Sequence, residues 1–115
     1  MHELSIANSV LEAVRTEVDR RPGARALKVG VRIGELAGVD PDALRFSFEV
    51  LVRGTDLEPL ALEIEPSPRR QRCGACGRAF TVVDYDVACP DCGAADTQCL
   101  SGDELELTYL EMEQP

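Results

Sequence analysis

The sequence has no tryptophan, three phenylalanines, two tyrosines, a single histidine and no apolar run long enough to cross a membrane. So few rings leave the core to Val, Leu, Ile and Ala. With 44% of its 115 residues apolar, the chain is still globular rather than disordered. The lack of an apolar run excludes a helical membrane protein. No basic segment opens the chain, and Glu3, Asn8 and Glu12 interrupt its first turns. A secretory signal is therefore not expected, and the cytoplasm is the expected location. Positive charge is scarce as well: 12 Lys and Arg stand against 21 Asp and Glu, a net charge of −9. Such a chain repels phosphate backbones and anionic lipid, so neither nucleic acid nor a membrane is an expected partner.

Periodicity supplies the organisation. Between Ser5 and Arg20 the apolar residues Ile6, Val10, Val14 and Val18, flanked by Ala7 and Leu11, fall on one helical face, and Pro22-Gly23 stops it. Leu27, Val29, Val31 and Ile33 then alternate with Lys28, Gly30 and Arg32 as a half-buried strand. After a loop at Gly34 and Gly38, Asp40 caps and Pro41 opens a second helix that turns Leu44, Phe48 and Leu51 inward and ends near Gly54. Leu60, Leu62 and Ile64 mark a second strand, and Glu104–Met112 reads as a closing one. In that last strand Leu105 and Leu107 are out of phase with Leu110 and Met112, which predicts a bulge or twist near Tyr109. The expected fold is α+β: two helices packed on a three-stranded, mainly antiparallel sheet, with an inserted zinc-ribbon-like four-cysteine domain. The expected boundaries are residues 1–66 plus 101–115 for the first domain and 67–100 for the insert.

The insert is announced by EPSPRRQR. Pro66 and Pro68 are expected to end the second strand, and Arg69, Arg70 and Arg72 to solvate a linker. Next come two CxxC pairs, Cys73 with Cys76 and Cys89 with Cys92, each followed by a glycine (Gly77, Gly93) that permits a tight turn. Four soft thiolates at this spacing make a closed tetrahedral site, which suits structural zinc(II). The segment has too few apolar residues to fold without such a staple. Iron suits the same spacing, but the aromatic packing it calls for is thin here. Thioredoxin-like redox use would place one CxxC at a helix start rather than two facing pairs. Cys99 is left over, either as small apolar filler or as a reserve ligand.

His2 raises a second metal question. Its ring nitrogen, its own backbone nitrogen, the amine of Met1 and the backbone nitrogen of Glu3 can close adjacent chelate rings in one plane. Planar nitrogen sets favour nickel(II) or copper(II). A bulky second residue is expected to keep the initiator Met in place. On chemistry alone, a surface histidine without a role at a chain end stands beside the chelate as an alternative.

The segments MHELSIANSVLEAV and VRIGELAGVDPDALRFSFEVLVRGT, the CxxC/CPxC pair with Gly93, and SGDELEL resemble the HypA/HybF family of hydrogenase-maturation nickel metallochaperones, in the same order along essentially the whole chain. The resemblance implies an α/β domain whose His2 is the nickel ligand and a zinc domain held by Cys73, Cys76, Cys89 and Cys92. It implies delivery of nickel to the hydrogenase large subunit with a HypB-type GTPase, and in some organisms service to urease maturation, the chain acting as a monomer or homodimer. One departure stands out: many relatives carry a histidine inside the second cysteine pair, where this chain has Asp91. An exchange of thiolate for imidazole at the zinc is therefore closed to it.

Other residues carry paired readings. Glu3 either orients His2 and offsets the ion's charge or favours the dipole at the helix start. Asp40 either approaches the nickel or caps the second helix. The acidic run from Asp103 to Glu113 is either a lure for a basic partner or a solvated strand face. The arginines at 69, 70, 72 and 78 are linker solubility, or the one feature of a zinc-ribbon nucleic-acid or protein-interaction module. No catalytic set is present, since four thiolates close the zinc shell and one terminal histidine remains.

Overall fold

A computed structural model describes residues 2–114. Helix α1 spans Glu3–Asp19, strand β1 Arg25–Gly34, helix α2 Pro41–Val52, and strands β2 Ala61–Ser67, β3 Arg70–Cys73, β4 Ala79–Thr81, β5 Thr97–Ser101 and β6 Leu105–Glu113; a single 3-10 turn, Glu35–Ala37, follows β1. The expected α+β arrangement is present: two helices, two small and mainly antiparallel three-stranded sheets, and the four-cysteine cluster. The chain divides into two compact units, one of Met1–Arg32, Gly38–Glu65 and Glu106–Pro115, the other of Ile33–Ala37 and Pro66–Leu105.

In the first unit the sheet order is β2-β1-β6. Central β1 is flanked by β2 and β6, and Ala26, Val29, Gly30, Val31, Ile33 and Gly34 are all buried, so the alternation expected of a half-buried strand is lost. Helices α1 and α2 pack on each other. From α1 the stripe buries Ala7 and Val14; from α2 it buries Leu44, Phe48 and Val52, with Leu51 only half-buried. Burying a side chain such as Leu44 contributes about 1.5–3 kcal/mol. The open side of the sheet is laced by ions: Arg32 reaches Glu106 at 2.8 Å and Glu65 at 3.4 Å, and Lys28 reaches Glu63 at 3.6 Å.

Two consecutive residues of β6, Thr108 and Tyr109, crowd the same β1 position, Gly30. Strand β2 departs from expectation by running through Pro66 to Ser67. It lies at a sheet edge, where a residue without an N–H breaks no ladder.

In the second unit the order is β4-β3-β5, antiparallel throughout, with Gln71 opposite Phe80 on one side and Cys99 on the other. Here the linker reading of the arginines is corrected. Arg70 and Arg72 belong to the central strand, exposed in alternation with buried Gln71 and Cys73. Their charge hid a strand because a sheet this small keeps one face in water, where arginine side chains cost nothing to solvate.

Candidate metal centres

The two cysteine pairs close as facing knuckles. In the first, the Gly77 N–H donates to the Cys73 carbonyl at 3.0 Å; in the second, the Gly93 N–H donates to the Cys89 carbonyl at 2.8 Å. Both glycines sit at positive φ, 78° and 73°, which an L side chain would strain. The turns bring the four Sγ atoms within 4.8 Å of one another. Across the knuckles Cys73 Sγ stands 3.5 Å from Cys92 Sγ, and Cys76 Sγ 3.6 Å from Cys89 Sγ. A tetrahedron of ~2.3 Å zinc–sulfur bonds has edges of about 3.8 Å, so the cavity between these thiols fits an ion of that size. Each knuckle contributes one buried thiol (Cys73 and Cys89, both 2% exposed) and one outer thiol, and the buried pair packs with Phe80, Val82 and Ala94.

Backbone amides bias the thiols toward the ligating form. The N–H groups of Cys76 and Ala75, 3.4 and 3.3 Å from Cys73 Sγ, pull that thiol down to about 6 against desolvation. Cys89 is lowered in the same way, first by the Cys92 amide. The outer thiols go the other way. At Cys92 the Ala94 amide lowers the value, but the Cys73 thiol, burial and the remaining thiols outweigh it and leave about 11. At Cys76 the amide of Arg78 is likewise outweighed, chiefly by the Cys89 thiol. Four thiols cannot all ionise side by side without a cation between them.

Three supports of this centre were not foreseen from spacing. Arg78, just past the first knuckle, pairs with Asp91 inside the second and so bridges them. Thr97 donates its hydroxyl to the Val87 carbonyl at 2.7 Å and accepts from Gln71 Nε2 at 3.1 Å. The Asp86 carboxylate accepts the Ala88 N–H at 3.0 Å and so shapes the approach to Cys89. Cys99 stands apart from the four-thiol group, exposed, with its thiol 3.3 Å from the Ser101 carbonyl, so it is not buried filler.

At the other end of the chain, His2 is the N-cap residue of α1 and is exposed. Its carbonyl accepts the Ile6 N–H at 3.1 Å, while its side chain makes no capping bond. Among the described residues the ring has no hydrogen-bond partner, and the backbone N–H of Glu3 is among the first four of a helix, which have no intrahelical partner. The Glu3 carboxylate turns to α2, where its Oε2 accepts the Asp40 N–H at 3.2 Å. Asp40 in turn caps α2, its Oδ1 accepting from Asp42 N at 3.0 Å and Ala43 N at 3.3 Å. Met1, whose amine the chelate calls for, lies outside the described residues. Two residues of the acidic run are engaged: Glu104 accepts from the Ser67 hydroxyl at 2.7 Å, and Glu106 holds Arg32.

Fold and donor sets together define a small α+β protein with a tetrathiolate metal-binding centre. Residues 1–112 match the family model described as "Hydrogenase/urease nickel incorporation, metallochaperone, hypA". The chain belongs to the HypA family, which is made of metallochaperones rather than enzymes. It is 44% identical over 113 residues to the hydrogenase maturation factor HypA of Geobacter metallireducens, covering 98% of this chain and 100% of that one. It is 42% identical over 114 residues to that of a Roseiflexus species, covering 98% and 93%. The solution structure of the nickel metallochaperone HypA from Helicobacter pylori superposes with a TM-score of 0.66 at 23% identity, each chain covered in full, and so shares the fold. Among the described residues no helix is long and apolar enough to cross a membrane.

Proposed function

We propose that the protein binds one nickel(II) ion at its N-terminus and hands it over in the maturation of [NiFe]-hydrogenase, while one zinc(II) ion on Cys73, Cys76, Cys89 and Cys92 holds the second unit together. The observation that carries the nickel reading is an exposed, uncapped His2 at the head of α1 in a chain matched by the family model from its first residue. His2 supplies its ring and backbone nitrogens, Glu3 its backbone nitrogen and Met1 its amine, a planar set suited to nickel. A site of this kind on the surface suits delivery, because a partner's ligands can approach the open sides of the plane. The zinc reading rests on the thiolate donors and their tetrahedral spacing, which leave no position open to water. The units of the work are a HypB-type GTPase and the hydrogenase large subunit, in the cytoplasm, with urease maturation a second client route. Asp91 is held by Arg78 and carries no imidazole, so the zinc shell stays all-thiolate while nickel comes and goes.

Metal analysis and calorimetry test the reading together. The untagged protein should contain one zinc and take up one nickel. His2→Ala should abolish tight nickel binding with zinc content and fold intact. Residues added ahead of Met1 should be nearly as damaging, because the amine becomes an amide. Unchanged affinity in His2→Ala would refute the site.

A further inference from the structure

In a chain with 21 acidic and 12 basic side chains, a cation finds a carboxylate easily, and the first unit shows it: Arg15 pairs with Asp56, Arg20 with Glu17, Lys28 with Glu63, and Arg32 with both Glu65 and Glu106. Strand β3 behaves differently. Among the described residues, no ion pair joins Arg70 or Arg72 to any carboxylate, and the only pair of the second unit is Arg78 with Asp91. Both arginines point from the central strand to the same exposed face, two residues apart. Their cross-strand neighbours there are small or neutral: Thr81 and Ser101 beside Arg70, Ala79 and Gln98 beside Arg72. Both arginines are exposed, and none of those neighbours is acidic. Arg72 gives one N–H to the Gly77 carbonyl at 2.9 Å, which fixes its head against the first knuckle without cancelling its charge. Close by, Arg69 keeps a buried Nε with no hydrogen-bond partner.

We propose that this face of the β4-β3-β5 sheet is a docking surface for an acidic protein segment, its carboxylates paired with Arg70 and Arg72. Charge complementarity selects that occupant. Guanidinium forks two residues apart on a rigid strand match carboxylates carried on an extended or helical peptide. A short segment needs only two carboxylates to satisfy the pair, whereas a nucleic acid brings a phosphate with every nucleotide of a longer footprint, which a chain of net charge −9 disfavours more. The surface is independent of the nickel reading, since it uses no residue of the N-terminal site. It would give the second unit a task beyond its own stability, the choice and orientation of a partner through rim charges.

The test uses the full, zinc-loaded chain and a short fluorescein-labelled peptide of four glutamates, followed by anisotropy at low and at physiological salt. Binding should be measurable at low salt and fall as salt rises. Arg70→Gln with Arg72→Gln should weaken it by about tenfold or more, and Arg70→Glu alone by a comparable amount; among the described residues the Arg70 side chain makes no hydrogen bond or ion pair, so the single variant guards against a disturbed knuckle. Arg20→Gln with Arg53→Gln, in the first unit, should leave affinity within about twofold. The proposal is overturned if the peptide does not bind at low salt, or if the β3 variants bind like the wild type. It is equally overturned if a ten-nucleotide single-stranded oligonucleotide binds more tightly than the peptide through the same arginines.

Discussion

The carboxylate of Glu3, in the first turn of α1, accepts the backbone N–H of Asp40, the residue that caps α2. This bond at 3.2 Å fastens the residue after His2 to the start of the other helix. A chelate that uses the Glu3 backbone nitrogen needs that nitrogen held still, and this tie holds it. Glu3→Ala should therefore weaken nickel binding by about tenfold, the lower end of what outer-shell supports contribute, without touching zinc. Glu3→Gln keeps an acceptor oxygen and should lose much less. Parallel nickel titrations of the two variants check this, and equal losses would mean that charge rather than the tie matters.

Asp40 tests the same corner through stability. Its Oδ1 serves two N–H groups of α2, so Asp40→Ala should cost about 1 kcal/mol, while Asp40→Asn, itself a good cap, should cost only a fraction of that. Urea unfolding followed by helical circular dichroism reads the difference. If Ala and Asn proved equal, the cap would not be what Asp40 contributes.

What could be seen in the sequence follows the range of the physics involved. The stripe of Val10, Val14 and Val18, the Asp40-Pro41 cap and the doubled CxxC are local signals, and the helices and the four-thiol cluster follow from them. The strand at Arg70–Cys73 was hidden because its pattern of charged and polar residues imitates a linker, and only the register with Ala79–Thr81 and Thr97–Ser101 gives it a sheet. The bond between Glu3 and Asp40 spans 37 residues, and the bridge from Arg78 to Asp91 is invisible until the knuckles face each other. The conflict of phase between Leu107 and Leu110 is legible in the sequence; the approach of Tyr109 to Gly30 is not.

That overlap yields a third prediction. A methyl group on residue 30 would coincide with the Tyr109 ring and press on the Thr108 hydroxyl. Gly30→Ala should thus destabilise the first unit by about 1–3 kcal/mol, the usual cost of overpacking. Tyr109→Ala made in the same chain should recover part of that loss, because the ring is the larger obstacle. A double-mutant cycle by chemical denaturation measures the coupling, and strict additivity would place the strain elsewhere.

The last prediction concerns what the thiols do without metal. Cys73 is held down at about 6 by the amides of Cys76 and Ala75, whereas an unfolded chain would ionise it near 9.0. Its stabilising contribution is complete above pH 9, shrinks as the pH falls and the unfolded thiol takes up its proton first, and is gone below about 6. Cys92, raised to about 11, acts in the opposite window: its contribution is present below 9 and fades as the pH climbs toward 11. Through Cys73, folding of the metal-free second unit should become still less favourable as the pH falls from 9 to 6. Zinc sharpens the same trend, since every bound thiolate must first shed its proton. Cys73→Ser removes one ligand together with the thiol best prepared to ionise, so it should release zinc at neutral pH. It should also open β3, β4 and β5 to rapid amide exchange, because Phe80 and the few side chains around it form too small a core to stand alone. Helices α1 and α2 should keep their protection, resting on Leu44, Val14 and Phe48 in the other unit. Hydrogen exchange read by mass spectrometry, with and without chelator, follows both units at once. Protection of β3 that outlasted the loss of zinc would show that the metal is not what holds this unit folded.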